Sequence, residues 1–275
     1  MSPRFSDAMA LRPVDGRPGD ESRSFVGDLS EHWTIGPKIH GGVMVALCAK
    51  AAREGYATSA SGGSNAQPVA VSVSFLSAPD PGLVQLFTVV RKRGRRVGLV
   101  DVELVQGRRV CVHGVVTIGE PEHQVPPLLA DSPLTAPMGV EPPVGVPVLT
   151  AGDPGAEINH LVRGCDIHPL LDSAGTPVFR FWVRPKSGRV DELFALMCGD
   201  LSLPVTYAVG RRGWAPTVQL TAYLRGLPSD GWLRVACTTT QIRQDWFDAD
   251  HTVVDAEGRV VVQTRQLALV PAVTG

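Results

Sequence analysis

Apolar positions recur along the chain in two similar series, each a helical stretch followed by strand-like runs. A run of small apolar residues predicts a helix over Val43 to Ala52, and β-branched runs predict strands between Val69 and Ile118. The second series predicts a helix over Asp191 to Pro204 and strands between Pro216 and Val270. Turn residues separate the runs, which favours an antiparallel meander in each half.

Two pairs of segments repeat the same order of strand, turn and strand. Val71 to Leu86 resembles Val218 to Val235, each with a break at Pro and Gly, and Val102 to Ile118 resembles Thr252 to Leu269, each with a Gly-Arg turn. This internal duplication predicts an α+β fold in which a sheet curls around a central helix, the hot-dog arrangement. Two tandem helix-plus-antiparallel-sheet repeats in one chain make a double hot dog.

A proline-rich segment separates the two halves. Residues 120–147 contain eight of the 23 prolines, a composition typical of an extended linker. We therefore expect a loosely held lead-in over residues 1–24, an N-terminal repeat over 25–119, a linker over 120–150 and a C-terminal repeat over 151–275.

Charge and composition limit the partners of this protein. The formal net charge of -1 offers no electrostatic case for nucleic acid. The apolar stretches are far shorter than the roughly 18 residues of a membrane helix, and the first residues lack the apolar core of a signal peptide. Five scattered cysteines without a CxxC pair are typical of reduced thiols. We expect a cytoplasmic protein that neither binds nucleic acid nor inserts into a membrane.

Several common catalytic motifs are missing from the sequence. It contains no GxSxG nucleophile elbow, no GxGxxG after a strand, no GxxxxGK[ST] phosphate loop and no HExxH zinc motif. The seven histidines are not spaced as a metal cluster. We therefore predict neither a cofactor nor a metal ion.

Asp200 is the first candidate for chemistry. It falls in the apolar stripe that Leu193, Leu196, Met197 and Leu201 form on the predicted second helix. A carboxylate on such a face is costly unless it is hydrogen-bonded or serves a site, where it can act as a general base or a nucleophile. The alternative is a purely local role, in which the carboxylate caps the turn before the proline.

Gln266 and Thr217 are the second and third candidates. Gln266 lies in a mostly apolar row of the last strand, where an amide can fix a water or polarise a carbonyl group. Thr217 opens the strand after the second helix, where a hydroxyl can orient the attacking water. The alternatives are polar pairing within the sheet for Gln266 and ordinary strand packing for Thr217.

Two further groups are candidates for substrate binding. His40, Gly41 and Gly42 precede the first helix, whose free amides can receive an oxyanion, although a tight turn also needs glycine. Arg93 and Arg95 belong to a basic run that can meet the phosphates of coenzyme A, the alternative being a solvated hairpin tip.

Taken together, these stretches resemble the acyl-CoA thioesterase II (TesB-like) family of double hot-dog enzymes. The matching segments are Cys198 to Pro204, Pro216 to Tyr223, Gly231 to Leu233 and Asp255 to Gln266, with looser likeness at His40 to Gly42 and Phe75 to Pro79. In that family an Asp, a Thr and a Gln jointly position the hydrolytic water. The resemblance implies these roles for Asp200, Thr217 and Gln266.

The expected reaction is hydrolysis of a fatty acyl-CoA to the free acid and coenzyme A. A thiolate leaving group, with a pKa near that of cysteine at about 8.5, needs no strong general acid. Because hot-dog halves usually bury a sheet edge or face against a partner, we also expect a homo-oligomer.

Two other functions stay open. One is a non-catalytic protein that binds acyl-CoA or an acyl group. The other is a hot-dog hydratase or dehydratase, which needs a His paired with an Asp. The string His160 to Pro169 matches the HxxxGxxxxP motif of polyketide dehydratases. We interpret this match as coincidence, and His160 or His168 facing Asp200 would contradict that interpretation.

Overall fold

A computed structural model describes residues 2–15, 21–57, 65–122, 125–153, 156–170 and 178–272. The first half contains α1 (Phe5–Ala8), β1 (Leu11–Asp15), β2 (Ser22–Leu29), β3 (Thr34–Ile35), β4 (Lys38–Ile39), α2 (Gly41–Ala57), β5 (Gln67–Phe75), β6 (Gly82–Arg93), β7 (Gly98–Gln106) and β8 (Arg109–Gly119). The second half contains β9 (Cys165–Leu170), β10 (Val178–Pro185), α3 (Glu192–Cys198), β11 (Thr217–Leu224), β12 (Leu233–Thr238), β13 (Trp246–Val254) and β14 (Val260–Leu269).

Twelve strands form one antiparallel sheet that runs through both halves. Their order is β1-β2-β6-β7-β8-β5-β11-β14-β13-β12-β10-β9, and β3 pairs separately with β4. The halves join edge to edge, because β5 pairs with β11 in the middle of the sheet, with Ser72 opposite Thr221. The predicted large antiparallel sheet is therefore present, as one continuous sheet.

The helix α2 lies at the centre of the core. It is apolar on nearly all sides, with Val45, Ala46 and Ala49 fully buried, as a helix surrounded by protein must be. Strands β5 to β8 and the helix α3 contact it. Its small side chains let α3 approach closely, since a Cβ atom on Gly42 would overlap the carbonyl oxygen of Met197. The helix is longer at both ends than the predicted Val43 to Ala52.

The second helix is shorter than predicted. Asp191 caps its start by accepting a hydrogen bond of 2.8 Å from the Phe194 amide, but the helix ends at Cys198 rather than near Pro204. After it, the Asp200 amide donates to the Met197 carbonyl at 3.2 Å, an i to i−3 bond that tightens the chain into a turn. Asp200 therefore lies in the exit turn and not on the helical stripe.

The start of the chain is packed, contrary to the expected loosely held lead-in. Phe5 is buried and makes edge-to-face contacts with Trp33 at 5.2 Å and with Phe194 at 5.4 Å. The strand β1 extends the sheet beyond β2. Residues 1 and 16–20 of this segment lie outside the described part of the chain.

The proline-rich segment covers the face of the second half that points away from α3. In its described residues, 120–122 and 125–150, there is no helix or strand. Met138 packs with Trp182 and Trp232, and the Trp182 indole donates to the Gly139 carbonyl at 2.8 Å. An extended chain suits this role, because it shields the outer side of β10 without adding a layer. None of the described helices is long and apolar enough to cross a membrane.

Candidate functional site

A cavity of about 420 Å³ opens where the two halves meet. The start of α2, the end of β5, the exit turn of α3 and the inner faces of β11, β13 and β14 form its wall. Most of the wall is apolar, with side chains that include Ile39, Met44, Phe75, Leu201, Phe247 and Leu269. The polar side chains of His40, Asp200, Thr217 and Gln266 also line it. The cavity therefore combines apolar space with a small polar cluster.

The Asp200 carboxyl group lies almost entirely out of solvent, with its side chain 8% exposed. Burial raises its pKa to about 7, and a hydrogen bond from the Gly42 backbone N–H opposes this shift. That amide belongs to the first turn of α2, where a negative charge is favoured. The group can therefore exchange a proton near neutral pH, as a general base requires.

The two glycines at the start of α2 allow this contact. A Cβ atom on Gly41 would overlap Oδ2 of Asp200. A Cβ atom on Gly42 would lie only 3.1 Å from the Cβ of Asp200. The sequence led us to expect free amides that receive an oxyanion. Instead, the amide of Gly42 binds the carboxyl group of Asp200, so that donor already has a partner within the protein.

His40 supports the same turn from the other side. Its Nε2 lies 3.1 Å from the backbone carbonyl oxygen of Asp200 and 3.8 Å from Oδ2. Burial lowers the pKa of His40 to about 4, although the bond to the carbonyl opposes this, so the ring is neutral at pH 7. Because a carbonyl oxygen only accepts, Nε2 carries the proton. The sequence predicted that His40 contacts the substrate. The structure shows in addition that His40 holds the turn that carries Asp200.

Thr217 and Gln266 form a hydrogen-bonded pair. The Thr217 hydroxyl donates to Oε1 of Gln266 at 3.2 Å, which turns the amide nitrogen towards other acceptors. A register shift between Thr217 and Gln219 places Thr217 opposite Ala268, on the inner face of the sheet. Without that shift, strict alternation from Gln219 would place Thr217 on the outer face.

The three candidates share the cavity but do not form one bonded triad. Among the described residues, no direct hydrogen bond joins Asp200 to Thr217 or to Gln266. The Thr217–Gln266 pair and the Asp200 carboxyl group are held by different elements. Strands β11 and β14 position the pair, whereas α2 and α3 position the carboxyl group. A small molecule bound between them can contact both.

The arginines predicted to bind substrate lie elsewhere. Arg93 donates to the Tyr56 carbonyl oxygen at 2.9 Å, and its guanidinium stacks on the Tyr56 ring at 4.8 Å. Arg95 is exposed in the turn after β6. Neither is among the described residues that line the cavity, so the structure does not bring them to the carboxyl group.

The histidines of the dehydratase-like string also lie away from Asp200. Nδ1 of His160 is 2.6 Å from the Thr34 hydroxyl, and Nδ1 of His168 is 2.9 Å from the Val146 carbonyl oxygen. Each of these hydrogen bonds joins two segments of the fold that pack against each other. The interpretation of that string as coincidence agrees with this placement.

One supporting residue was missed although its signal was present. Thr264 occupies the same inward row of β14 as Gln266, and its hydroxyl donates to the carbonyl oxygen of Gly199, next to Asp200. A polar side chain in the mostly apolar inward row of this strand is the pattern that pointed to Gln266. The same row therefore holds both the amide and the support of the exit turn.

No side-chain cluster in the described part of the chain is arranged to hold a metal ion. All five cysteines are free and buried. Burial raises the pKa of Cys48 and of Cys237 to about 12, so these thiols are not thiolates at neutral pH. The side chains with an ionisable group that line the cavity are those of His40, Asp200 and Tyr207.

Comparison with known proteins adds three kinds of likeness. Family models of the acyl-CoA thioesterase N-terminal domain and C-terminal domain match residues 29–119 and 143–270. An uncharacterized protein of Mycobacterium tuberculosis H37Rv is 56% identical over 291 residues, covering 99% of this chain and 100% of that protein.

Solved structures extend the likeness to the fold. The structure of a candidate thioesterase II from Thermobifida fusca YX is similar at a TM-score of 0.82 and 25% identity, covering 99% of this chain and 98% of that one. A conserved protein with a hot-dog fold from Alicyclobacillus acidocaldarius is similar at a TM-score of 0.78 and 21% identity, with 98% of each chain covered. The likeness spans both halves of the molecule.

Proposed function

The chain belongs to the acyl-CoA thioesterase family, and from this premise we propose that it hydrolyses a fatty acyl-CoA through a water positioned by Asp200, Thr217 and Gln266. As a member of this family it is a thioester hydrolase. The observation that carries the assignment of residues is a buried carboxyl group, with a pKa of about 7, in the same cavity as the Thr217–Gln266 pair.

In the proposed reaction the Asp200 carboxylate takes a proton from the water as the water oxygen attacks the thioester carbonyl carbon. The carbonyl oxygen becomes an oxyanion in the tetrahedral intermediate. When this intermediate collapses, the carbon–sulfur bond breaks, and the proton held by Asp200 is available to the departing thiolate. The products are the free acid and coenzyme A.

Thr217 acts through Gln266 in this scheme. Because its hydroxyl donates to Oε1, the side-chain amide is held in place and its N–H groups remain available as donors. One of these N–H groups donates to the water oxygen, so that a water proton faces the carboxylate. Positioning of this kind lowers the entropic part of the barrier.

The architecture supports an apolar acyl group as the substrate. We infer that each half is one hot-dog unit, with α2 and α3 as the two central helices and β5 and β11 as the joined edges. The acyl chain then lies along the apolar wall, beside side chains such as Phe75 and Phe247. Burial of apolar surface contributes about 25 cal/mol per Å² to its binding.

A hydratase or dehydratase is the second candidate, because Nε2 of His40 lies 3.8 Å from the Asp200 carboxyl group. Such an enzyme adds water to a 2-enoyl-CoA or removes it from a 3-hydroxyacyl-CoA, and the thioester survives. Loss of the enoyl absorbance without release of free thiol would favour this function. Binding of acyl-CoA with no turnover of either kind would favour a non-catalytic binding protein.

The test is release of free thiol from acyl-CoAs of increasing chain length. Removal of a general base typically lowers the rate by about 10² to 10⁴, so Asp200→Asn should fall in this range, while Thr217→Val should lose less. The rate of the wild type should rise with pH around a midpoint near 7, because the carboxylate is the active form.

Thr221→Val is the matched control for Thr217→Val. Thr221 lies on the outer face of the same strand, where its hydroxyl is 3.0 Å from that of Ser72, and the substitution should leave the rate unchanged. Equal rates for the wild type and Asp200→Asn would remove the carboxyl group from the mechanism.

A further inference from the structure

We propose that Ser202 is a further catalytic residue of this site, whose hydroxyl donates a hydrogen bond to the carbonyl oxygen of the bound thioester, and that His251 is its positioning residue. This inference rests on the proposed function. It supplies the oxyanion donor that the Gly42 amide cannot provide, since that amide binds Asp200.

Ser202 lies two residues after Asp200 in the same exit turn, and it lines the cavity. Its Oγ is 3.0 Å from Nε2 of His251 and 3.4 Å from Sγ of Cys237. His251 on β13 and Cys237 on β12 are direct partners in the sheet register. Both residues are buried and neither lines the cavity, so two adjacent strands contact the serine on the side away from the cavity.

The protons on these groups can be assigned from their partners. Nδ1 of His251 is buried and has no hydrogen-bond partner. Buried N–H groups without a partner are rarer than unpaired acceptors, so Nδ1 carries the lone pair and Nε2 carries the proton. Nε2–H therefore donates to the Ser202 oxygen. The hydroxyl proton of Ser202 is then donated to a group other than His251.

The present acceptor of that proton is a poor one. The acceptor is the sulfur of Cys237, and sulfur in a thiol accepts hydrogen bonds only weakly. A thioester carbonyl oxygen that gains negative charge is a much stronger acceptor. The hydroxyl can turn from the thiol to the substrate at little cost, and the bond strengthens as the oxyanion forms.

The turn that carries Ser202 is fixed at three points between Gly199 and Ser202. Thr264 binds the carbonyl of Gly199, His40 binds the carbonyl of Asp200, and His251 binds the hydroxyl of Ser202. The general base and the proposed oxyanion donor are thus held in one rigid segment. Such preorganisation is what makes a hydrogen-bond donor effective in a transition state.

The same geometry argues against a serine nucleophile. A nucleophilic serine needs a basic histidine that a carboxylate orients, and Nδ1 of His251 has no such partner. Burial, together with a smaller effect of nearby His40, lowers the pKa of His251 to about 3. Ser202 therefore keeps its proton throughout, and no acyl-enzyme bond forms.

The first experiment compares Ser202→Ala with Ser229→Ala, the same change at a half-buried serine outside the cavity. Loss of one oxyanion donor lowers kcat by about 10² to 10³. We expect this loss for Ser202→Ala, with little change in KM and with the pH midpoint still near 7, and we expect wild-type kinetics for Ser229→Ala. An unchanged kcat would refute the role of Ser202, and so would acylated Ser202 in a quenched reaction.

His251→Gln and His251→Leu test the positioning residue. Gln retains an N–H donor near Nε2 and should retain most of the activity, whereas Leu should approach the rate of Ser202→Ala. In the Ser202→Ala background, His251→Leu should add little further loss, because both changes remove one interaction. Additive losses would show that His251 acts independently of the serine.

A second measurement needs no turnover. A ketone analogue of acyl-CoA, with CH₂ in place of sulfur and a ¹³C-labelled carbonyl, should bind with its ¹³C signal shifted downfield by the donor. The shift should be lost in Ser202→Ala and kept in Ser229→Ala. If the wild type binds the analogue but releases no thiol from acyl-CoA, the proposed function fails while this shift still decides the role of Ser202. Absence of analogue binding would refute both.

Discussion

Replacing Asp200 by Asn should lower activity but stabilise the protein, by an amount that grows as the pH rises to about 7. The carboxyl group is buried, so the folded state favours its protonated form and holds the pKa at about 7 against 3.8 for a free Asp. Between these values the unfolded chain binds fewer protons than the folded one. The free energy of unfolding of the wild type therefore falls as pH rises through this window.

The magnitude follows from the two pKa values. Each pKa unit corresponds to about 1.4 kcal/mol, so the full difference between 3.8 and about 7 amounts to about 4 kcal/mol. An Asn side chain resembles the protonated acid and does not titrate. The variant should therefore exceed the wild type in stability by about 2 kcal/mol at pH 5 and by about 4 kcal/mol at pH 8.

Urea denaturation of both proteins between pH 5 and pH 8 measures this difference. His40 and His251, whose pKa values burial lowers to about 4 and about 3, destabilise both proteins alike as the pH falls. Their contribution cancels in the comparison. Asp28→Asn, the same change at an exposed position on β2, is the control. A stability difference between wild type and Asp200→Asn that stays constant over this range would refute the argument that burial of a charge sets the pKa of Asp200.

Two further substitutions test the packing around the exit turn. Gly42→Ala should destabilise the protein by about 1–3 kcal/mol and lower the rate of thiol release, since the added Cβ would overlap the Met197 carbonyl oxygen. Gly152→Ala is the control in the same urea titration, because the nearest atom to a Cβ at that position is 3.9 Å away. Thr264→Val should leave the Gly199 carbonyl without its donor and cost about 1–3 kcal/mol, together with part of the activity. Stability within 0.5 kcal/mol of the wild type, the range usual for surface changes, would show that neither contact holds the turn.

Local patterns were enough to predict much of the architecture. The apolar run that became α2, the antiparallel strands and the inward row of β14 follow from short-range periodicity, because burial on one face imposes a repeat on the sequence. Gln266 was assigned to the inner face in this way. The short internal repeats also predicted two similar halves.

Other features depend on contacts between distant parts of the chain. The end of α3 at Cys198 follows from i to i−3 bonds in the exit turn, which a helical stripe does not predict. The inward direction of Thr217 follows from a register shift against β14. Arg93 stacks on Tyr56 rather than facing the cavity, since the hairpin that carries it lies beside the end of α2.

Periodicity along the chain was thus enough to predict α2, the strands of both meanders and the polar residues that interrupt their apolar faces. The contact of Asp200 with the start of α2, and those of its turn with His40 and Thr264, form only when the chain folds. They matter because the pKa of a carboxyl group depends on the solvent it loses and the donors it gains. Those surroundings come from residues up to 160 positions away along the chain.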